Sequence, residues 1–148
     1  MGSSMYIPAA MVTRMAKSII NLENTNIKIS LHSENPGDID GEQVWGDMIN
    51  EIAGGGYTGG GKAVTGLALS NTAYDTKWDA HDIVWTSLTN TFQFAVVYID
   101  ETVDGVVQPI IAKIALDENS SGVAQDVTVV GVDYTIVWSA SGIISFDG

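Results

Sequence analysis

The chain predicts a mainly β fold: an antiparallel β-sandwich or jelly-roll-like barrel with one or two short peripheral helices. Three features carry that expectation. Past Ala63 the apolar residues fall in short alternating runs, the period-two signature of half-buried strands. Turn-forming residues separate those runs at roughly 8–12-residue intervals, the rhythm of sandwiches and barrels. Helical periodicity is confined to the part of the chain before the glycines around Tyr57.

Residues 8–22 read as a helix, with Pro8 in a first turn where its missing amide costs nothing. Met11, Met15, Ile19 and Leu22 form its apolar stripe, and Arg14, Lys17, Ser18 and Asn21 its wet face. Such a Met-rich stripe serves core packing or, less commonly, an adaptable binding surface. From Asn26 the period becomes two: Ile27, Ile29 and Leu31 alternate with Lys28, Ser30 and His32, which places His32 on the surface. Asn35-Pro36-Gly37-Asp38 ends that strand as a turn. Residues 42–52 predict a second short helix, because Trp45, Met48, Ile49 and Ile52 follow i, i+3, i+4, i+7.

After a strand over 63–69, Ile83 and Trp85 alternate with Val84 and Thr86, and Phe92, Phe94, Val96 and Tyr98 share the face of another strand. Asp104-Gly105 is a turn signal. Ile110, Ala112, Ile114 and Leu116 form the next face, and residues 117–122 a polar loop. Val132, Tyr134, Ile136 and Trp138 alternate again, and Ser141-Gly142 turns the chain into residues 143–146.

Two glycine triplets, Gly54-Gly55-Gly56 and Gly59-Gly60-Gly61, flank Tyr57-Thr58 and precede Lys62. Their spacing overlays both G-x-x-x-x-G-K and G-x-G-x-x-G. Those motifs cradle phosphate only where a strand leads into the glycines and a helix leaves them. Here helical periodicity precedes the glycines and a strand-like run follows, and Ala63 stands where magnesium ligation needs Ser or Thr. The segment therefore reads as a turn-rich connection whose glycines adopt angles that other residues avoid.

The 148 residues fit one domain and can bury an ample core without disulfides, and there is no cysteine. Residues 1–4 (Met-Gly-Ser-Ser) read as an expression-tag remnant; residues 5–148 read as a single β-rich domain with an N-terminal helical arm over 5–25. No apolar run is long enough for a membrane-spanning helix and no signal peptide is evident, so a protein made in a cytoplasm is expected. Six basic residues, scattered singly, face eighteen acidic ones, a net charge of −12. Nucleic acid needs clustered Lys and Arg and is an unlikely partner class for this composition.

Candidate chemistry is sparse. Asp79, His81 and Asp82 could ligate a metal or supply a base, but their spacing in a loop does not force convergence. Ser139-Ala140-Ser141-Gly142 lacks the first glycine of a nucleophile elbow, and residues 117–122 lack calcium-loop spacing. Trp85 and Trp138, on strands, read as core; Trp45 and Trp78 are more open to a binding role, such as a sugar platform.

The order of these features resembles a family of small tailed-bacteriophage virion proteins encoded among head and tail structural genes. The resemblance is carried by the strand from Asn26 to Leu31, Val44-Trp45-Gly46-Asp47 and Gly56-Tyr57-Thr58-Gly59-Gly60-Gly61. It continues through Trp78-Asp79-Ala80-His81-Asp82-Ile83-Val84-Trp85-Thr86, Ala95-Val96-Val97-Tyr98 and Val137-Trp138-Ser139-Ala140-Ser141-Gly142. It runs from Ala16 onward, while residues 5–13 depart from the family's pattern. The resemblance implies a non-enzymatic virion component without cofactor or bound metal. Combined with the acidic charge, it leads to the expectation of a capsid decoration (cement) protein on the outer face of the head. It would be trimeric and bound to the major capsid protein, with no nucleic-acid or membrane partner. Met11, Met15, Ile19, Trp45 and Tyr57 are the expected shell contacts. The competing expectations are a tail, baseplate or fibre adsorption module that binds host carbohydrate, and a metal-assisted hydrolase at Asp79, His81 and Asp82.

Overall fold

The computed structural model describes residues 2–17, 20–23, 26–39, 44–72, 75–138 and 143–147. Along them run β1 (Gly2–Tyr6), α1 (Ala9–Ala16), β2 (Ile27–His32), a 3-10 turn (Trp45–Asp47), β3 (Lys62–Ala63) and β4 (Ala68–Thr72). Then come β5 (Asp75–Asp79), β6 (Ile83–Phe92), β7 (Phe94–Ile99), β8 (Thr102–Val103) and β9 (Val106–Val107). β10 (Ile110–Glu118), β11 (Val127–Ile136) and β12 (Ile144–Asp147) close the series. The protein is mainly β, antiparallel and sandwich-like, with one short α-helix, as its alternating pattern predicts.

A five-stranded sheet in the order β1-β10-β7-β2-β3 forms one layer. A β6-β11 ribbon lies opposite, with a smaller β12-β5-β4 sheet and a β8-β9 hairpin beside them. β6 and β7 are nearly one strand, broken at Gln93. β10 pairs with β7 and β11 with β6, so one long hairpin supplies both layers. Gln93 holds the corner: its amide donates to the His32 carbonyl at 2.9 Å and its carbonyl accepts from Leu116 N–H at 3.0 Å. Ile83, Trp85, Leu88 and Phe92 of β6 thereby meet Ile29, Leu31, Ala95, Val97 and Ile111 of the large sheet in one buried cluster.

Local departures from strict alternation have local causes. In β6 the buried positions shift phase between Trp85 and Leu88, because Ser87 sits at φ 50° and turns Leu88 inward in its place. β11 answers with irregular register on both sides of Val132. Val132, expected on the apolar face with Tyr134 and Ile136, is 52% exposed as a result.

Three expectations are corrected. The first helix ends at Ala16, and Ile20 and Leu22 reach the core from non-helical backbone; the Leu22 carbonyl accepts the Trp78 indole N–H at 3.0 Å. The segment over 5–25 is thus no free arm: Met11 is 1% exposed and Leu22 5%. The helix expected over 42–52 shrinks to the 3-10 turn at Trp45–Asp47. Its C-terminal half pairs instead with the end of β2: Ile52 N–H donates to Leu31 O at 3.1 Å, Ser33 N–H to Asn50 O at 2.8 Å, and Glu51 bridges His32. Strand-like bonds to a buried neighbour outweigh a helix only about three turns long. Finally, residues 2–4 lie within the fold, because Gly2 pairs with Glu118 and Ser4 with Ala115 at the edge of the large sheet.

Candidate functional site

The glycine segment clasps the two layers together. Thr89 N–H donates to Gly55 O at 2.8 Å, and Lys62 and Ala63, just past the second triplet, pair with Ile29 and Lys28 of β2. A Cβ on Gly55 would stand 1.8 Å from Thr89 O, and one on Gly61 2.0 Å from Ile29 O. The first triplet thus lies against β6 and the second against β2, at separations only glycine allows. Both residues also have positive φ, 63° and 85°.

Tyr57 is the bolt of this clasp. Its ring is buried, its hydroxyl donates to Glu51 Oε1 at 2.7 Å, and it accepts from Leu31 N–H at 3.1 Å. Burial first, and the Glu51 contact second, push the phenol pKa well above its ordinary value, so it remains a neutral donor. The same Glu51 oxygen accepts Gly60 N–H at 2.6 Å, while Tyr98 OH donates to Gly60 O at 2.5 Å. Tyr57 N–H and Gly61 N–H are taken by Gly54 O and Thr58 O. A phosphate cradle needs free amides converging on an anion. Here an internal carboxylate and neighbouring carbonyls occupy those amides. The Lys62 ammonium donates to the Val84 carbonyl, away from the loop, and the chain leaves the glycines as a strand.

The second constellation lies on the outer face of the large sheet. Residues 33–39 and 44–52 fold over it, with Ile39, Trp45 and Met48 packed against Val96 and Ile110. Trp45 stacks on Tyr98, centroids 4.8 Å apart and planes inclined by 16°. His32, expected on the surface, is 1% exposed beneath this cover. Its Nδ1 lies 2.8 Å from Ile49 O and its Nε2 2.9 Å from Ser30 Oγ. Trp45 Nε1 lies 2.9 Å from the same Ser30 Oγ. A carbonyl can only accept and an indole N–H only donate, so for a neutral imidazole the directions follow. Trp45 donates to Ser30, Ser30 donates to Nε2, and Nδ1–H donates to Ile49 O. Burial accordingly lowers the His32 pKa, against opposing contributions from Ile49 O and Glu51.

The expected shell contacts are dispersed. Met11 and Tyr57 are buried and leave almost no surface for a partner. Met15 and Trp45 are half-buried, and Ile19 lies outside the described residues. Trp78, read as more open to a binding role, is 0% exposed. The alternation pattern could not show that its indole reaches Leu22.

Asp79, His81 and Asp82 are each engaged separately. Asp79 lies near Lys77 and caps Ala80 N–H; the His81 ring lies against Gly66; Asp82 accepts Trp138 N–H at 3.1 Å. Among the described residues no three His, Asp or Glu side chains are grouped to hold a metal ion.

A cleft of about 350 Å³ lies between β1 and the end of β11. Ile114, Leu116 and Ile136 line it with Tyr134 and Trp138, and Ser3 and Ser4 contribute from β1. Burial pushes the Tyr134 phenol up to about 12, so it presents a neutral hydroxyl. No helix among the described residues is long and apolar enough to cross a membrane.

Comparison with protein-family models, curated proteins and solved structures finds no match. The chemistry on view is that of a braced scaffold. Many of its polar side chains hold loops to sheets, and its open surfaces include this cleft, a second of about 340 Å³ beside Tyr6, Ile39 and Lys113, and a scatter of exposed apolar side chains.

Proposed function

We propose that this chain is a non-enzymatic bacteriophage virion protein, a decoration protein that binds the major capsid protein on the outer face of the head and cements the shell. The reading rests on the ordered motifs from Asn26 to Gly142 and on the net charge of −12, which disfavours a seat against packaged DNA. The observation that carries it here is an exposed apolar N-terminal stretch: Tyr6 is 51% exposed, Ile7 36% and Val12 52%, on a body many of whose polar side chains are spent on bracing. Those three residues replace Met11 and Tyr57 as the contact set, with Met15 beside them. A homotrimer would match a three-fold position on the shell. Cementing is then linkage: occupied sites stabilise the assembled state by mass action.

The test is cosedimentation with heads lacking the protein. Saturable binding that raises the shell's disassembly temperature, and is lost in Tyr6→Ser/Val12→Ser, is expected; a protein that stays in the supernatant at every concentration rejects the reading.

One observation favours a second reading, an adsorption module for host carbohydrate. Trp138 and Tyr134 border the open cleft, and aromatic faces with nearby hydroxyls suit a sugar ring. Glycan-array binding abolished by Trp138→Ala would establish it in place of the first.

A further inference from the structure

We propose that a pocket of about 340 Å³ on the outer face of the large sheet, between Tyr6 and Glu118, is a binding site for a neutral hexose unit. It is distinct from the cleft at Trp138 and does not rest on shell binding, with which it shares only Tyr6.

The pocket follows from strand register. Tyr6 pairs with Lys113 and Phe94 with Ala115, which sets these side chains on the face of the sheet opposite Ile114 and Leu116. Ile39 borders the space on one side, and Gly122 and Ala124, from the turn after β10, border it on the other. Its floor is apolar and fixed, because Ile39, Phe94 and Ala115 are all buried. The far wall is held by backbone. Glu118 pairs with Gly2 on one side and bridges Ala124 on the other, and Asn119 Oδ1 accepts the Ser121 and Val123 amides at 2.9 and 3.0 Å. A ligand therefore meets a pre-formed site and costs little ordering of the protein. The volume lies in the range of about 300–1,000 Å³ common to small-molecule sites.

The polar rim mixes both signs. Lys113 Nζ donates to Gly37 O at 2.7 Å and to Asn35 Oδ1 at 3.2 Å, which leaves one of its three hydrogens. Asn35 Oδ1 also accepts Gly37 N–H at 3.0 Å, so the amide nitrogen is the group this side chain has left to offer. Asp38 and Glu118 bring carboxylates to the same space. The Glu118 carboxylate is half-buried, yet no described residue donates a hydrogen bond to it.

These groups select a ligand by exclusion. An anion would meet two carboxylates and an ammonium already bonded twice. A cation would meet that ammonium in the same pocket. A wholly apolar molecule would strip water from Glu118 and Lys113 and return no hydrogen bond. Among the described residues no third His, Asp or Glu joins Asp38 and Glu118 to hold a metal ion. What satisfies every wall is a neutral ring with hydroxyl donors for the carboxylates, oxygen acceptors for Lys113 and Asn35, and a C–H face for Tyr6 and Phe94. A pyranose carries all three, and its O–H···O⁻ bonds to carboxylate are the strong, charge-assisted kind.

Amide-shift NMR titration of the intact protein with glucose, galactose, mannose and N-acetylglucosamine tests this, with glycerol as a control polyol. Saturable shifts are expected in residues 35–39, 113–118 and 121–124 with one of these sugars, at a dissociation constant of about 1–10 mM and several-fold tighter than for its epimers. Glu118→Gln keeps the shape but not the charge and should weaken that binding about tenfold, while Trp138→Ala should leave it unchanged. If Glu118→Gln disturbs the free protein's spectrum beyond its neighbours, Tyr6→Ser serves instead and should weaken binding several-fold. A methyl glycoside that still binds supports a unit of a glycan chain, and binding of the reducing sugar alone supports a free sugar. No saturable shift with any of these sugars, an equal response to glycerol, or shifts centred on Tyr134 and Trp138 overturns the proposal.

Discussion

At Gly61 a methyl group has nowhere to go: its carbon would lie 2.0 Å from the Ile29 carbonyl oxygen, on backbone at φ 85°. Gly55 meets Thr89 O in the same way, whereas Gly59 has open space around it. Gly55→Ala and Gly61→Ala should each lower unfolding free energy by about 2 kcal/mol or more, and Gly59→Ala by under about 0.5 kcal/mol. Urea titration measures the difference, and equal effects at the three positions would remove the clasp. Tyr57→Phe deletes a buried hydroxyl that serves Glu51 and Leu31 and should cost about 1–3 kcal/mol in the same assay. His32 adds a pH term. Its folded pKa is lowered, so its contribution is complete above the unfolded value of 6.5 and is lost as pH falls through the folded one. Denaturation midpoints should therefore drop between about pH 7 and pH 5 in the wild type and drop less in His32→Gln. The glycines could be singled out in the sequence as turn formers. Their need for close approach could not, because Thr89 and Ile29 lie far along the chain.

Among the elements, those whose pattern is written locally were legible. β6, β7, β10 and the end of β11 alternate or run apolar over their own length, and burial follows the pattern until Ser87 shifts its phase. Two elements were decided by distant partners. Residues 49–52 carry a helical stripe, yet the edge of β2 offers them hydrogen bonds and Ile52 a place in the core. β1 has no pattern to read, and it forms because β10 presents an open edge. His32 was misplaced for the same reason: alternation puts it on the outer face of β2, and only the cover of residues 33–39 and 44–52 turns that face into an interior. Trp45 holds this cover by stacking on Tyr98 and by its bond to Ser30, so Trp45→Ala should destabilise by about 2–4 kcal/mol and raise dye binding to the uncovered face. Removing residues 1–4 should expose the β10 edge and lower the melting temperature by a few degrees, about 1 kcal/mol of stability. An unchanged melting curve would mean that those residues contribute no net stability.

For the molecule as a whole, charge and surface decide the expected behaviour. Eighteen acidic residues against six basic ones make self-repulsion the dominant long-range term. Part-exposed ion pairs such as Lys28–Asp100 at 3.0 Å offset little of it. Salt should therefore raise the melting temperature as it screens the repulsion, most steeply below about 0.1 M. The virion reading draws on ordered motifs and net charge, which the sequence displays. The contact surface it needs was not legible, because Met11 and Tyr57 look available in a linear pattern and are consumed by the core. Tyr6, Ile7 and Val12 could be recognised as its substitute only once the strand and helix around them were in place. Quantitative mass spectrometry of purified particles tests the reading most directly, by the ratio of this chain to the major shell protein. A constant, near-stoichiometric ratio is expected. Its absence from the particle would contradict a structural role, and a few copies per tail would contradict a place on the head.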